Sequence, residues 1–179
     1  MPTQPDSSIR RSLLALALAV FVAGGCQAAS PTPEPTPAPT LQPTPAAIDG
    51  GTVTLTDTEC TWEGNPGSVS GAQVTIELQN DTDDFGVFFV HRLKPEFSWQ
   101  DGVDAIAAIQ AAMAADEDWP NWASNLTTIV SERQAEAGGT GEVVVGPTPG
   151  TIGIVCSANT DARGTVLTVF LAGPLEVAG

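Results

Sequence analysis

The chain has no tyrosine, one histidine, one lysine and two methionines among its 179 residues. Acid–base and nucleophilic catalysis draws mostly on His, Lys, Tyr, Cys and positioned carboxylates, so His91 and Lys94 are all that the first two types offer. No Gly-x-Ser-x-Gly turn and no paired His/Glu metal motif occurs. We therefore expect a protein that is not an enzyme. Basic residues are scarce as well: six Lys plus Arg stand against 21 Asp plus Glu, for a net charge of −15. A surface that acidic repels nucleic acid and anionic headgroups, which excludes nucleic-acid binding. Long apolar runs are also missing. The longest, Leu13 to Gly25, is thirteen residues, short of the roughly 20 that a helix needs to cross a bilayer core.

What precedes that run is Arg10 and Arg11, and what ends it is Ala23-Gly24-Gly25-Cys26. A basic start, a short apolar middle and small residues at the end form the pattern of a secretory signal. The tripeptide and its cysteine resemble the lipobox of bacterial lipoproteins, departing from it in having Ala23 where Leu is usual. The resemblance implies cleavage before Cys26 and acylation of that cysteine, and two or more acyl chains make a stable anchor where one would be marginal. Arg10-Arg11-Ser12-Leu13-Leu14 also looks like a twin-arginine signal, so the export route stays open between that and the general one. A plain secretory signal with an incidental cysteine is the alternative. From Gln27 to Ala47 Pro alternates with Thr, Ala and Glu, and seven of the fifteen prolines fall there. Such a tract builds no core and favours extended polyproline II, reaching about 60 Å over twenty residues. The expected organisation is a signal peptide over 1–25, a lipidated cysteine with a disordered Pro/Thr stalk over 26–47, and one folded domain over 48–179. Localisation follows as the extracytoplasmic face of a membrane, held through lipid on Cys26.

Residues 1–25 hold two of the six basic and one of the 21 acidic residues, which leaves the mature chain four basic, 20 acidic and a net charge of −16. Three cysteines are present, and with Cys26 consumed by lipid an even pair remains, Cys60 and Cys156. Outside the cytoplasm such a pair is expected to be a disulfide.

The folded part is punctuated like a β-protein. "GTVTLTDTEC" puts Val53 and Leu55 on one face and Thr52, Thr54 and Thr56 on the other. "AQVTIELQN" does the same with Val74, Ile76 and Leu78. In "GVFFVHRL" both faces are apolar, which calls for a cover outside the sheet. The expected cover is a helix opened by Ser98 and Asp101, with Val103, Ile106, Ile109 or Gln110, and Met113 at helical spacing. "DWPNWASNLTTIV" reads as a turn with a second short element, and strands resume at "GEVVVG", "TIGIVC", "TVLTVFLAG" and "PLEV". Six or seven strands with one helical insertion make a β-sandwich.

"VTIELQN" with its phenylalanine-rich successor, "PGTIGIVCSANT", and a terminal strand ending "GPLEV" resemble a cupredoxin-like domain over roughly 50–179. The resemblance implies a mainly β, Greek-key sandwich with a helical insertion and a cysteine near the C-terminus. Its copper chemistry does not carry over. A blue-copper site takes two His, one Cys and a weak axial Met, whereas this chain has His91 alone and no His or Met in "SANTDARG" after Cys156. We expect no metal and no cofactor.

Three candidate sites remain. His91 lies in phase with Val87, Phe89 and Leu93 and is read as a packed strand histidine rather than a lone base. Asp81, Asp83, Asp84 and Gly86 suggest a calcium loop but lack the fifth and twelfth ligands, which are Phe85 and Arg92, so the segment reads as a solvated turn. "DEDWPNW" sets Asp116, Glu117 and Asp118 beside Trp119 and Trp122. These residues suit a cationic ligand held by charge and cation–π attraction, or a glycan stacked on indole. The alternative is that both indoles plug the open side of the sandwich. Two functions follow. The first is a non-enzymatic surface-displayed module that binds an extracytoplasmic protein, a glycan or a cationic ligand. The second is a redox or metal-dependent protein with a non-standard site, which stoichiometric metal in the purified protein would mark.

If Cys26 is the anchor, Cys26→Ser will release the domain into the medium or leave an unprocessed precursor. Membrane fractionation with intact-mass measurement checks this, and a variant that stays membrane-bound at the wild-type mature mass refutes the lipobox assignment.

Overall fold

Strict alternation decides the first sheet. The computed structural model describes residues 47–179; the signal segment, Cys26 and the proline tract lie outside the described residues. Strands β1 (Ile48–Leu55), β2 (Cys60–Glu63), β3 (Ser68–Ser70), β4 (Val74–Asn80) and β5 (Phe85–Leu93) precede the helix α1 (Trp99–Ala114). A single 3₁₀ turn over Ala123–Asn125 leads into β6 (Thr127–Ala135), β7 (Thr140–Val145), β8 (Gly150–Asn159) and β9 (Val166–Ala178). One sheet has the order β2-β1-β4-β7 and the other β3-β9-β8-β5-β6. Pairing is parallel only between β1 and β4 and between β3 and β9.

The inward residues are those that the period of two selects. Val53, Leu55, Val74, Ile76 and Leu78 meet Phe88, Val90, Ile152, Ile154 and Leu175 between the sheets, each no more than 1% exposed. A fully buried side chain of this size contributes about 1.5–3 kcal/mol, so this layer is the main source of stability. The fold is the mainly β, two-sheet sandwich with one helix that the cupredoxin-like reading implies. Among the described residues no helix is long and apolar enough to cross a membrane.

The strand count departs from expectation: nine strands form, not six or seven. β2 and β3 are four and three residues long, too short to show a period. β6 carries Ser131-Glu132-Arg133-Gln134 and is almost wholly exposed, because it is an edge strand whose charged residues discourage further pairing. "TVLTVFLAG" and "PLEV" are one strand, since β9 runs through the cis Gly173–Pro174 bond without a break.

The apolar outer face of β5 is covered by α1, as its composition demands. Ser98 caps the helix through a reciprocal pair of contacts with Asp101, which satisfies two of the backbone donors that a helix start leaves unpaired. Ile106 and Ile109 of the expected stripe turn toward the sheet, but the first member of that stripe does not. Gly102, Ala105 and Ala112 are buried, while Val103 is 39% exposed. Small residues face the sheet because the helix is pinned close to it at its start. A Cβ placed on Gly153 would lie 2.7 Å from Cζ3 of Trp99, and one on Gly173 would lie 3.0 Å from its Cη2. The indole therefore rests on two side-chain-free positions of β8 and β9.

Cys60 and Cys156 form a disulfide with a Cα–Cα distance of 6.2 Å. It joins β2 of one sheet to β8 of the other and closes a loop with a sequence separation of 96. In the chain-entropy model a loop of that length is worth about 4–5 kcal/mol. Replacing both cysteines by Ala should lower stability by about 2–5 kcal/mol with secondary structure unchanged. Denaturant unfolding followed by circular dichroism checks this, and two reactive thiols in the unreduced wild type would contradict the bond.

Candidate functional site

The covering helix does not close on the sheet along its whole length. Between α1, the 119–126 segment and the outer face of the five-stranded sheet lies a chamber of about 670 Å³, within the range that holds small-molecule ligands. The sheet side supplies Phe89, Val155, Val169 and Leu171; the helix side supplies Ala105, Ile106 and Ile109; Trp99 closes one end. Strand register explains the sheet side. Phe89 pairs with Val155 and Val155 with Leu171, so one row of side chains crosses β5, β8 and β9 facing the helix.

Six polar residues interrupt this apolar lining: His91, Ser157 and Asn159 on β5 and β8, Thr127 at the start of β6, and Asn121 and Ser124 on the covering segment. Ser157 and Asn159 are 3% and 7% exposed, and Oγ of the first and Oδ1 of the second have no hydrogen-bond partner. Buried polar atoms are nearly always paired, and an unpaired one costs about 1–3 kcal/mol. Arg92 Nε on β5 and Thr168 Oγ1 on β9 are unpaired as well, so the two on β8 belong to a set of four spread over the five-stranded sheet, none of them reached by solvent. The sequence carried a signal for Ser157 and Asn159 that composition hides. In "IVCSAN" the alternation sends Cys156 and Ala158 into the core and Ser157 and Asn159 toward the helix, so the polar pair sits on the face that had to be covered.

His91 is where its phase placed it, on the helix-facing side of β5. Its Nδ1 lies 2.6 Å from Oγ1 of Thr127 on the neighbouring strand, and its ring meets Phe89 edge-on at 6.2 Å. Burial lowers its pKa from the ordinary 6.5 to about 4, so the imidazole is neutral at pH 7. The ring is thus neutral, packed edge-on against Phe89 and joined to the Thr127 hydroxyl across the strand pair.

The acidic–aromatic segment is only partly brought together. Asp116, Glu117 and Trp119 line a more open groove with Gln110, Met113 and the edge of β9, and Trp119 also reaches the mouth of the chamber. Asp118 and Trp122 are exposed and line neither. The indoles are 47% and 48% exposed, so neither plugs the sandwich; the indole packed against the core between the sheets is Trp62. The acidic turn after β4 is organised by Asn80, which is fully buried. Its Nδ2 donates to the carbonyls of Asp84, Ala135 and Glu136, and its Oδ1 accepts from Thr82.

A copper ion of the blue-copper kind does not fit these residues. Cys156 has its sulfur bonded to Cys60 and points into the core, whereas His91 is on the opposite face of the same sheet. No single ion reaches both. Among the described residues no group of three or more His, Cys, Asp or Glu is arranged to hold a metal.

No protein-family model matches the chain, and no curated protein matches it. Among solved structures the chain is similar to blue copper proteins. One is auracyanin A from the green thermophilic photosynthetic bacterium Chloroflexus aurantiacus, at 15% identity and a TM-score of 0.37, covering 73% of this chain and 100% of that one. A second is auracyanin from Roseiflexus castenholzii, at 16% identity and a TM-score of 0.33, covering 72% and 98%. A third is auracyanin B, at 17% identity and a TM-score of 0.31, covering 72% and 91%. The copper question is decided on this chain's own residues, as above.

The depressed His91 pKa has a sign that can be tested. Between pH 6.5 and about 4 the unfolded chain takes up a proton at His91 that the folded chain does not. Stability should therefore fall as the pH drops through that window, by about 1–3 kcal/mol, and this contribution should level off below it. His91→Gln should remove that part of the pH dependence while costing about 1 kcal/mol at pH 7. Urea unfolding at intervals from pH 7 to 3.5 checks both, and an unchanged pH slope in the variant would show that His91 is not the group responsible.

Proposed function

We propose that this protein is a lipid-anchored, extracytoplasmic binding module. In this reading Cys26 holds it to the membrane, the proline tract lifts the sandwich away from the surface, and the sandwich binds a small molecule in the chamber under α1 without transforming it. The observation that carries the binding role is the chamber itself: about 670 Å³ of mainly apolar space between α1 and the outer face of the five-stranded sheet. The scarcity of catalytic residue types supports a non-enzymatic role. Anchoring rests on the lipobox-like "AGGC" and on the stalk composition that follows it. Asp116, Glu117 and Trp119 belong to the approach rather than to the binding cavity. Trp119 stands at the mouth, and the acids beside it would draw cations and turn anions away.

The test is direct. Naphthalene, a neutral apolar probe, should bind the detergent-free full chain carrying Cys26→Ser at one molecule per chain in equilibrium dialysis. Ala105→Phe, which places a ring in the chamber from the helix side, should abolish that binding while the domain still unfolds cooperatively. No saturable uptake of naphthalene, or equal uptake by the folded Ala105→Phe variant, would reject the chamber as a binding site.

A further inference from the structure

The polar side chains around the chamber differ in what a guest can reach. The unpaired atoms of Ser157 and Asn159 are sealed from solvent, so no guest can touch them. Asn121 and Ser124 are exposed and stand at the rim, and the Ser124 hydroxyl already donates to the Asn121 carbonyl. His91 is different. Its Nδ1 is engaged by the Thr127 hydroxyl at 2.6 Å, whereas no hydrogen bond among the described residues engages its Nε2. That nitrogen is not one of the four sealed unpaired atoms, so solvent reaches it. A strand side chain stands roughly perpendicular to its sheet, and Nε2 is the ring nitrogen farther from the backbone. It therefore projects from β5 into the layer that Phe89 and Leu93, its neighbours on the same face, line with it.

No Lys, Arg, Asp or Glu lines the chamber among the described residues. An ammonium brought in would meet no opposite charge, and a carboxylate would meet an imidazole that burial keeps neutral at pH 7. Burying an ion without a partner costs far more than apolar walls return. The chain's excess of acidic residues adds long-range repulsion against anions. A wholly apolar guest would strip water from Nε2 and leave it unpaired, which a buried polar atom tolerates poorly. A hydroxyl avoids both penalties. In a neutral ring one nitrogen carries the proton and the other accepts, and the Thr127 hydroxyl serves either state of Nδ1 because it both donates and accepts. Nε2 thus offers a lone pair or an N–H, and a guest hydroxyl matches whichever is present. We propose that the chamber takes a neutral, mainly apolar molecule bearing one hydroxyl, which hydrogen-bonds to Nε2 of His91. This rests on the chamber being a binding site and adds the chemistry of its ligand.

A matched set of probes separates the two claims. Naphthalene, 2-naphthol and 2-naphthoate are each dialysed at pH 7 against the detergent-free full chain carrying Cys26→Ser, with and without His91→Leu. The preference for naphthol over naphthalene should fall about tenfold in His91→Leu, the size of one buried hydrogen bond. Naphthoate should bind at least tenfold more weakly than naphthol to the chain that keeps His91. The chain has a single histidine, so its imidazole nitrogens are assigned without ambiguity by nitrogen NMR. Saturating naphthol should place the Nε2 resonance at a position different from that set by naphthalene. That measurement needs no variant, and it decides the question if the leucine change disturbs folding. If naphthalene binds but a folded His91→Leu chain keeps the full preference, or Nε2 responds alike to both probes, or naphthoate binds best, the hydroxyl assignment is wrong while the chamber stands. If naphthalene fails to bind, both fall.

Discussion

The layout of the layer outside the five-stranded sheet depends on how closely one indole can approach it. Trp99 lies at the start of α1, and its ring occupies the space that side chains at Gly153 and Gly173 would fill. That contact fixes the helix at one end, near the sheet, and Gly102 continues the close approach by facing Leu93 and Leu171. Farther along, the sheet presents Val155, Ser157 and Asn159 instead of glycine, and the space between the layers opens into the chamber. A larger residue at either glycine would push the indole out and alter the whole interval between helix and sheet, because a packed interior absorbs added volume poorly. The chamber is thus a consequence of where β8 and β9 lack side chains and where they have them.

The other constraint is the separation of the two faces of the five-stranded sheet. Its inner face is apolar and closed, clamped to the opposite sheet by the Cys60–Cys156 bond. Its outer face mixes apolar residues with His91, Ser157 and Asn159 under a single helix. Since neighbouring residues on a strand point to opposite faces, Cys156 stabilises the core while Ser157 lines the chamber one position later. The same alternation that assigns the cysteine to the core keeps it away from His91, which is why this sandwich cannot assemble a His/Cys metal site from these two residues. The core and the chamber lie on opposite sides of one sheet.

This division also explains which features could be read in the sequence. The inner layer was legible because it depends on a local rule: Val53 and Leu55, or Val74, Ile76 and Leu78, alternate with polar residues whatever lies across from them. The double-sided β5 announced a cover, and Ser98 with Asp101 announced the helix that supplies it. The cysteine pair followed from parity. On α1, Ile106 and Ile109 sit where their spacing places them, while Val103 is exposed because Gly102 and Ala105 are the residues turned onto the sheet. Edge strand β6 was illegible for the opposite reason, since its charged residues serve to prevent pairing and so do not resemble a strand. The chamber itself lay beyond sequence reading. It arises from Trp99, Gly153 and Gly173, which are far apart in the chain and carry no motif.

The "DEDWPNW" segment shows how a conspicuous motif and an inconspicuous one can divide a task. Its acids and tryptophans stand out in the sequence, yet the structure leaves Asp118 and Trp122 in solvent and places Trp119 at a boundary. Charged groups that remain hydrated act mainly at a distance, by favouring or opposing approach, and contribute little to contact energy. Buried polar atoms behave in the opposite way: short in range, but costly when unmatched. Asp116 and Glu117, hydrated on the open groove, act on their surroundings through their field, whereas Ser157 and Asn159, buried beneath the outer layer, act only on what is packed against them.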